Sequence, residues 1–275
     1  MTPSLKVVAA PPAELLPVFA ALYGADADEL AWMTNALEAA WVAVNGAGEA
    51  LGAVGLRQSP AHGAELMGGA VYGPEQRAVA AALAQVAREA GGRVYAFANE
   101  GLLPRAALDA AGYLEVGAYR MLAGPTPTPA AEAPAGVRLL PLADVPDVAT
   151  RLDAMSTYED RIGHHRVVAA AAEEGAGGFD DRLSLIALND SGEGVGICRA
   201  APEDLYARID APGVRPDYRH TGLRAALLLG VCALVRARGL EHVSLESWGD
   251  TPEELAHDLG LGLDVELEDP ICAAG

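Results

Sequence analysis

The sequence predicts an α/β protein of the α+β kind: two tandem copies of one unit, each a mixed, mostly antiparallel sheet flanked by helices. Three observations carry that prediction. Residues 124–136, "GPTPTPAAEAPAG", can neither continue a strand nor bury a face, so they read as a semi-rigid linker between residues 1–123 and 137–275. The halves share a pattern: "AVNGAGEALGAVG" (Ala43–Gly55) aligns with "ALNDSGEGVGICR" (Ala187–Arg199), pairing Ala43/Ala187, Asn45/Asn189, Gly48/Gly192, Glu49/Glu193 and Gly52/Gly196 at an offset of 144. Each half also runs through the same succession: strand, one or two helices, hairpin, strand, loop, helix, strand, helix, strand.

In the first half Leu5–Ala9 reads as a strand and Pro12–Tyr23 as a helix. Trp41–Val44 and Ala50–Leu56, joined by an Asn/Gly turn, form a hairpin, and Leu66–Val71 a third strand. Gln76–Ala90 is a helix stopped by Gly91 and Gly92. Val94–Ala98 is a strand, and Pro104–Ala111 a helix begun by proline and closed by Gly112. The second half repeats this through Leu183–Leu188, Gly194–Cys198, Leu205–Ile209, Leu223–Arg238, Val243–Glu246 and Pro252–Leu259. Arg88/Arg236, Gly91/Gly239, Pro104/Pro252 and Gly112/Gly260 pair at an offset of 148. The rise from 144 puts four extra residues in the second half, between its hairpin and its long helix. Trp32 and Trp41 are expected in the core.

Composition removes several classes of function. With 38 acidic and 19 basic residues the 275-residue chain carries a net charge of −19, so its surface repels phosphate backbones and a nucleic-acid partner is not expected. Half the residues are hydrophobic, enough for a proper core. No apolar run is long enough to cross a membrane, and Met1–Lys6 shows no signal-peptide pattern. Cys198, Cys232 and Cys272 are odd in number and lack metal-ligand spacing, which reads as reduced cysteine in a cytoplasmic protein, with no metal and no membrane partner.

The interval with the extra residues is "VRPDYRHTGLRAAL" (Val214–Leu227), against "AVYGPEQRAVAAAL" (Ala70–Leu83) in the first half. It ends a strand and opens a long apolar helix, whose N-terminal N–H groups and dipole favour an anion. Gly222 admits close backbone approach, and Arg219, His220, Thr221 and Arg224 add donors, with Arg215 nearby. The competing reading is a plain strand–helix connection whose arginines balance neighbouring acids.

This loop resembles the coenzyme-A loop of the GNAT N-acetyltransferases, Arg/Gln-x-x-Gly-x-Gly/Ala after a Val-x-Pro strand end, with Val214, Pro216, Arg219, Gly222 and Arg224 at the matching positions. The element order and the ending "ESWGDTPEELAHDLGLG" are similar too, and the resemblance covers both halves. It implies a tandem GNAT protein: a degenerate first domain lacking the phosphate loop, and a second that holds acetyl-CoA, or another acyl-CoA, through Val214, Arg219, His220, Thr221, Gly222, Leu223 and Arg224. The pantetheine arm would run along Gly213–Val214, where that strand splays from Glu246–Ser247. Arg224 departs from the pattern, since a small residue is usual there.

Transfer of an acyl group to an amine needs a base for the ammonium and a proton for the thiolate. The family's acid is often a tyrosine on the last helix, four residues before the Gly of its closing Gly-Phe. Counting back from Gly260 gives Ala256, from Gly262 Asp258, and in the first half Leu108, so the tyrosine is absent; the Pro104/Pro252 match favours the Gly260 register. Asp210 is the leading base candidate, with Glu246, Glu203 and Asp204 as others. "STYEDRIGHHR" (Ser156–Arg166) lies where this family closes over its acceptor, so Tyr158 and His164 are expected against the substrate, with Trp248 as a wall of the cleft. The reading is an acyl-CoA-dependent N-acyltransferase acting on a small amine, as a monomer or homodimer. A tandem GNAT that only senses CoA or mediates interactions is the alternative. A nucleotide-phosphate enzyme is weaker, because no glycine-rich nucleotide motif is present.

Overall fold

The computed structural model describes residues 5–275. Its elements fall into two units, one made of residues up to Ala118 together with Asp269–Gly275, the other of Tyr119–Glu268. The chain passes from the first to the second inside one strand and returns inside its last. The expected boundary at 124–136 is therefore corrected. Gly124 and Pro125 still belong to a strand that pairs within the second unit, because its backbone groups find partners there.

The first unit runs β1 (Lys6–Ala9), α1 (Leu16–Tyr23), α2 (Ala27–Asn35), β2 (Ala39–Val44), β3 (Ala50–Ser59), β4 (Gly63–Ala70), α3 (Gln76–Glu89), β5 (Val94–Phe97), α4 (Arg105–Ala110) and the start of β6 (Leu114–Pro125). Strands β1 to β4 are antiparallel neighbours, and β4 pairs with β5 in parallel at only Ala64↔Val94 and Glu65↔Tyr95. The second unit runs β7 (Val137–Pro141), α5 (Val148–Met155), β8 (Leu185–Asn189), β9 (Gly194–Cys198), β10 (Ala200–Pro202), β11 (Ala207–Asp210), β12 (Gly213–Val214), α6 (Leu223–Ala237), β13 (His242–Trp248), α7 (Pro252–Gly260) and most of the exposed part of β14 (Asp264–Ala274). The end of β14 closes the first unit, with Ile271–Ala274 antiparallel to β5, while the end of β6 pairs with β13 in the second.

In each unit apolar side chains pack on both faces of the antiparallel strands. In α3, Val79, Ala80, Leu83, Ala84 and Ala87 recur at helical spacing and sink into one core with Val54, Leu66 and Tyr113. Phe19, Leu30 and Met33 cover the opposite face with Ala53 and Met67. In the second unit Leu223, Leu227, Val231 and Val235 of α6 pack with Ile209, Val214 and Leu245, while Met155 and Tyr158 lie on Ile186 and Ile197. The three cysteines are buried and unbridged. Trp41 packs against the first core, but Trp32 is 56% exposed with the Arg57 guanidinium 5.4 Å from its ring, so the core expectation fails there.

The repeat is sharpest in the two hairpin turns. Asn45 Nδ2 donates to Glu49 Oε2 at 2.7 Å, and its Oδ1 accepts from the N–H of Ala47 and Glu49. Asn189 does the same with Glu193, Ser191 and Glu193. Gly48 and Gly192 complete the turns at φ +84° and +83°, where an L side chain is strained. Seven residues separate Arg215 from α6 where four separate Val71 from α3, so most of the expected insertion is the turn before α6.

Candidate functional site

The strand that ends in the loop is broken in two. Ala207–Asp210 pairs in parallel with β13, the last pair being Asp210↔Glu246, and Ala211 N–H still donates to the Glu246 carbonyl at 2.8 Å. Beyond Pro212 the chain turns away, and Gly213 and Val214 pair instead with Ile197 and Gly196 of β9. Two neighbouring parallel strands thus diverge with Asp210 and Glu246 side by side at the fork. The close approach at Gly213 requires glycine, because a Cβ would lie 2.4 Å from Thr157 Oγ1.

Burial raises the pKa of Asp210, opposed by Arg199, which donates to Oδ2 at 2.8 Å. Burial also raises that of half-buried Glu246, and the charge of Asp210 adds to the shift. Tyr158 stacks on His164 at 5.3 Å, and His164 meets the edge of Trp248 at 5.4 Å. The Tyr158 hydroxyl is buried, and burial together with Asp210 pushes its pKa up. Burial, with Arg161 and Arg199, pushes His164 down to about 3, so its imidazole is neutral at ordinary pH. The five residues expected at the chemistry are therefore brought together. Glu203 and Asp204 lie outside the fork, at the exposed β10–β11 turn.

The expected nest of free arginines is not there. Arg215 is paired with Asp217 at 2.8 Å and Glu193 at 3.5 Å, and Arg219 with Asp160 at 2.8 Å. Arg224 corrects the sequence reading most. Its guanidinium turns inward to Asp258, with bonds of 2.9 and 2.7 Å, and to Glu254 at 3.3 Å, so its side chain is not available to a phosphate. Gly262, at φ +88°, closes α7 after Leu261 while Gly260 is still helical, so a count of four back from the glycine that closes the helix reaches Asp258 and not Ala256.

The backbone of the loop suits an anion. Gly222 caps α6 at φ +87°, a Cβ there would meet nothing within 4 Å, and the first intrahelical bond runs from Ala226 N–H to Gly222 O. His220, Thr221 and Gly222 are exposed, Thr221 Oγ1 donates to Tyr218 O, and Leu223 and Val214 are buried in the core. A diphosphate fits this helix end, and an extended arm fits the strand edge at Val214. Arg161, missed in the sequence, reaches across the fork from the acceptor segment: it donates to Pro212 O at 2.7 Å and to Asp250 at 2.8 Å, while Ile162 packs on Gly249. Arg199 was missed too, although an arginine directly after the buried run Gly194–Cys198 is a visible signal.

No protein-family model and no curated protein sequence matches the chain. Solved structures do. A GCN5-related N-acetyltransferase from Sphaerobacter thermophilus is similar over 98% of this chain and 95% of its own, at 20% identity and TM-score 0.57. A tandem GNAT protein from the clavulanic acid biosynthesis pathway is similar over 98% of both chains, at 16% identity and TM-score 0.51. A probable N-acyltransferase from Enterococcus faecalis V583 is similar over 99% of this chain and 72% of its own, at 11% identity and TM-score 0.62. With the divergent strands and the helix-capping loop, these likenesses show that the chain carries the GNAT N-acetyltransferase fold.

Proposed function

We propose that the protein is an acyl-CoA-dependent N-acyltransferase acting on a small amine, with its active site in the second unit. The observation that carries this reading is the fork, where Asp210 and Glu246 lie side by side on diverging strands and the chain runs on from Asp210 through Val214 to the open helix end at Gly222. The N–H groups of His220 and 222–224 would hold the CoA diphosphate, aided by Arg219 once released from Asp160, and Val214 would present its edge to the arm. When bound, the acyl-CoA supplies a thioester carbon activated for attack. Glu246 is the base: its raised pKa brings it closer to that of an ammonium, and it is less buried than Asp210. Asp210 acts on it as a neighbouring charge, held in place by Arg199. The proton of the amine passes to Glu246 as the C–N bond forms; the C–S bond breaks, and the thiolate takes its proton from water. Tyr158, His164 and Trp248 wall the acceptor side and exclude solvent.

The test is release of CoA thiol from acetyl-CoA with a panel of small amines. Glu246→Gln is expected to lower the rate about 10²–10⁴-fold while CoA affinity holds. A rate unchanged in that variant removes Glu246 as the base. A second reading, a CoA-binding sensor without turnover, is favoured by Asp258, which the count of four reaches but which is committed to Arg224. It predicts CoA binding with no thiol release for any amine.

A further inference from the structure

We propose that the acceptor is an α-amino acid, its carboxylate held by Arg208 while its amine lies on Glu246; the inference rests on the acyl-transfer reading and deepens it. Arg208 and Asp210 are two apart on β11 and share a face of the sheet, as do Glu246 and Trp248 on β13 beside it. Over that face lies Phe179, whose ring centroid is 4.0 Å from the Arg199 guanidinium and 4.6 Å from that of Arg208.

These two arginines are alike in place and different in state. Arg199 is neutralised by Asp210 at 2.8 Å. Arg208 is three-quarters buried, at 25% side-chain exposure, and is ion-paired only at longer range, with Glu203 at 3.7 Å and Glu246 at 3.9 Å, both beyond hydrogen-bond reach. Among the described residues it is therefore a largely buried fork of five donors, fixed over an aromatic ring, with no hydrogen bond made. A planar fork of this kind matches a carboxylate.

The spacing selects the amino acid. Arg208 Nη1 and Glu246 Oε2 are 3.9 Å apart. In an α-amino acid the amine nitrogen and a carboxylate oxygen lie about 3 Å apart by standard bond lengths and angles. One small molecule can thus present its ammonium to Glu246 and its carboxylate to Arg208. A diamine would instead set a second cation against the guanidinium, and a simple alkylamine would leave its donors unfilled.

Calorimetric titration in the presence of CoA, comparing amino acids with their decarboxylated amines (leucine with isopentylamine, phenylalanine with phenethylamine), tests this directly. The wild-type protein is expected to bind an amino acid about 30-fold tighter than its amine, the range of a charged hydrogen-bond pair. Arg208→Met is expected to bring that ratio to about threefold or less, and Arg208→Lys, which keeps the charge without the fork, to an intermediate value. Arg138→Met, at an exposed position on β7, keeps the wild-type ratio. Equal binding of acid and amine by the wild type, or a ratio retained in Arg208→Met, overturns the proposal. Thiol release separates it from the reading beneath it. Transfer to simple amines alone leaves the acyltransferase standing and this inference fallen. Arg208-dependent binding of amino acids without any thiol release overturns the acyl-transfer reading, and the amino acid is then a ligand and not an acceptor.

Discussion

The Asn45–Glu49 and Asn189–Glu193 turns use the same hydrogen bonds, yet some twenty residues further on the two units no longer resemble each other. Asp210 stands 144 residues after Leu66, and Arg208 after Ala64, both buried apolar residues of the first core. The turn before α3 is shorter than that before α6, and at the closing helix Leu108 stands where the second unit has Asp258. What persists in both copies is what any hairpin needs to close. What differs is a set of buried charges, and burying charge is costly unless it is paired and hydrogen-bonded. A core can be made with Leu66, Ala64 and Leu108, as the first unit shows. The second unit's polar fork is therefore best explained by use.

The largest effect that would sharpen this contrast is on stability. Arg224→Met leaves the fully buried Asp258 with His257 Nδ1 as its remaining partner, and is expected to cost about 3–5 kcal/mol in urea unfolding. Adding Asp258→Leu, the first unit's own residue at that position, should recover most of it. A single variant within about 1 kcal/mol of wild type means the pair is not a buried charge in need of its partner.

Titration of His164 comes next. Its folded pKa, near 3, lies below the ordinary histidine value, so the unfolded chain binds the proton first as pH falls. Stability is then expected to drop by up to about 1.4 kcal/mol per pH unit from pH 6.5 towards pH 3, and to be unaffected by this group above 6.5. His164→Phe should flatten that slope, seen in denaturation midpoints across the range. An unchanged slope would place the acid sensitivity elsewhere.

The smallest effect probes what the units share. Asn45→Ala and Asn189→Ala should each cost about 1 kcal/mol, nearly equally, since each removes the same turn bonds. Very unequal costs would mean that the two turns are alike in bonding only.

Much of this was legible in the chain. The paired Asn, Gly and Glu residues mark both hairpins, and the glycine and arginines after Val214 mark the start of α6, because turns and caps are local chemistry. The fates of the arginines were not legible. Arg224 and Asp258 meet across 34 residues, Arg161 and Asp250 across 89, and nothing in either local sequence announces the partner. The exchange of strands inside β6 and β14 was hidden for the same reason, since a strand's pattern shows which face is buried and not which edge it joins. Gly260 and Gly262 both offered to close α7, and only backbone geometry chose between them.

The central claim is that the helix end at Gly222, and not its shorter counterpart in the first unit, is an acyl-CoA site. Calorimetric titration of CoA into the wild type, Gly222→Trp and Glu75→Trp tests it most directly. One site is expected in the wild type, kept in Glu75→Trp and weakened at least about 100-fold in Gly222→Trp, where the indole fills the space before the helix N–H groups and the side chain strains the cap at φ +87°. No CoA binding at all, or binding lost in Glu75→Trp and kept in Gly222→Trp, would contradict it.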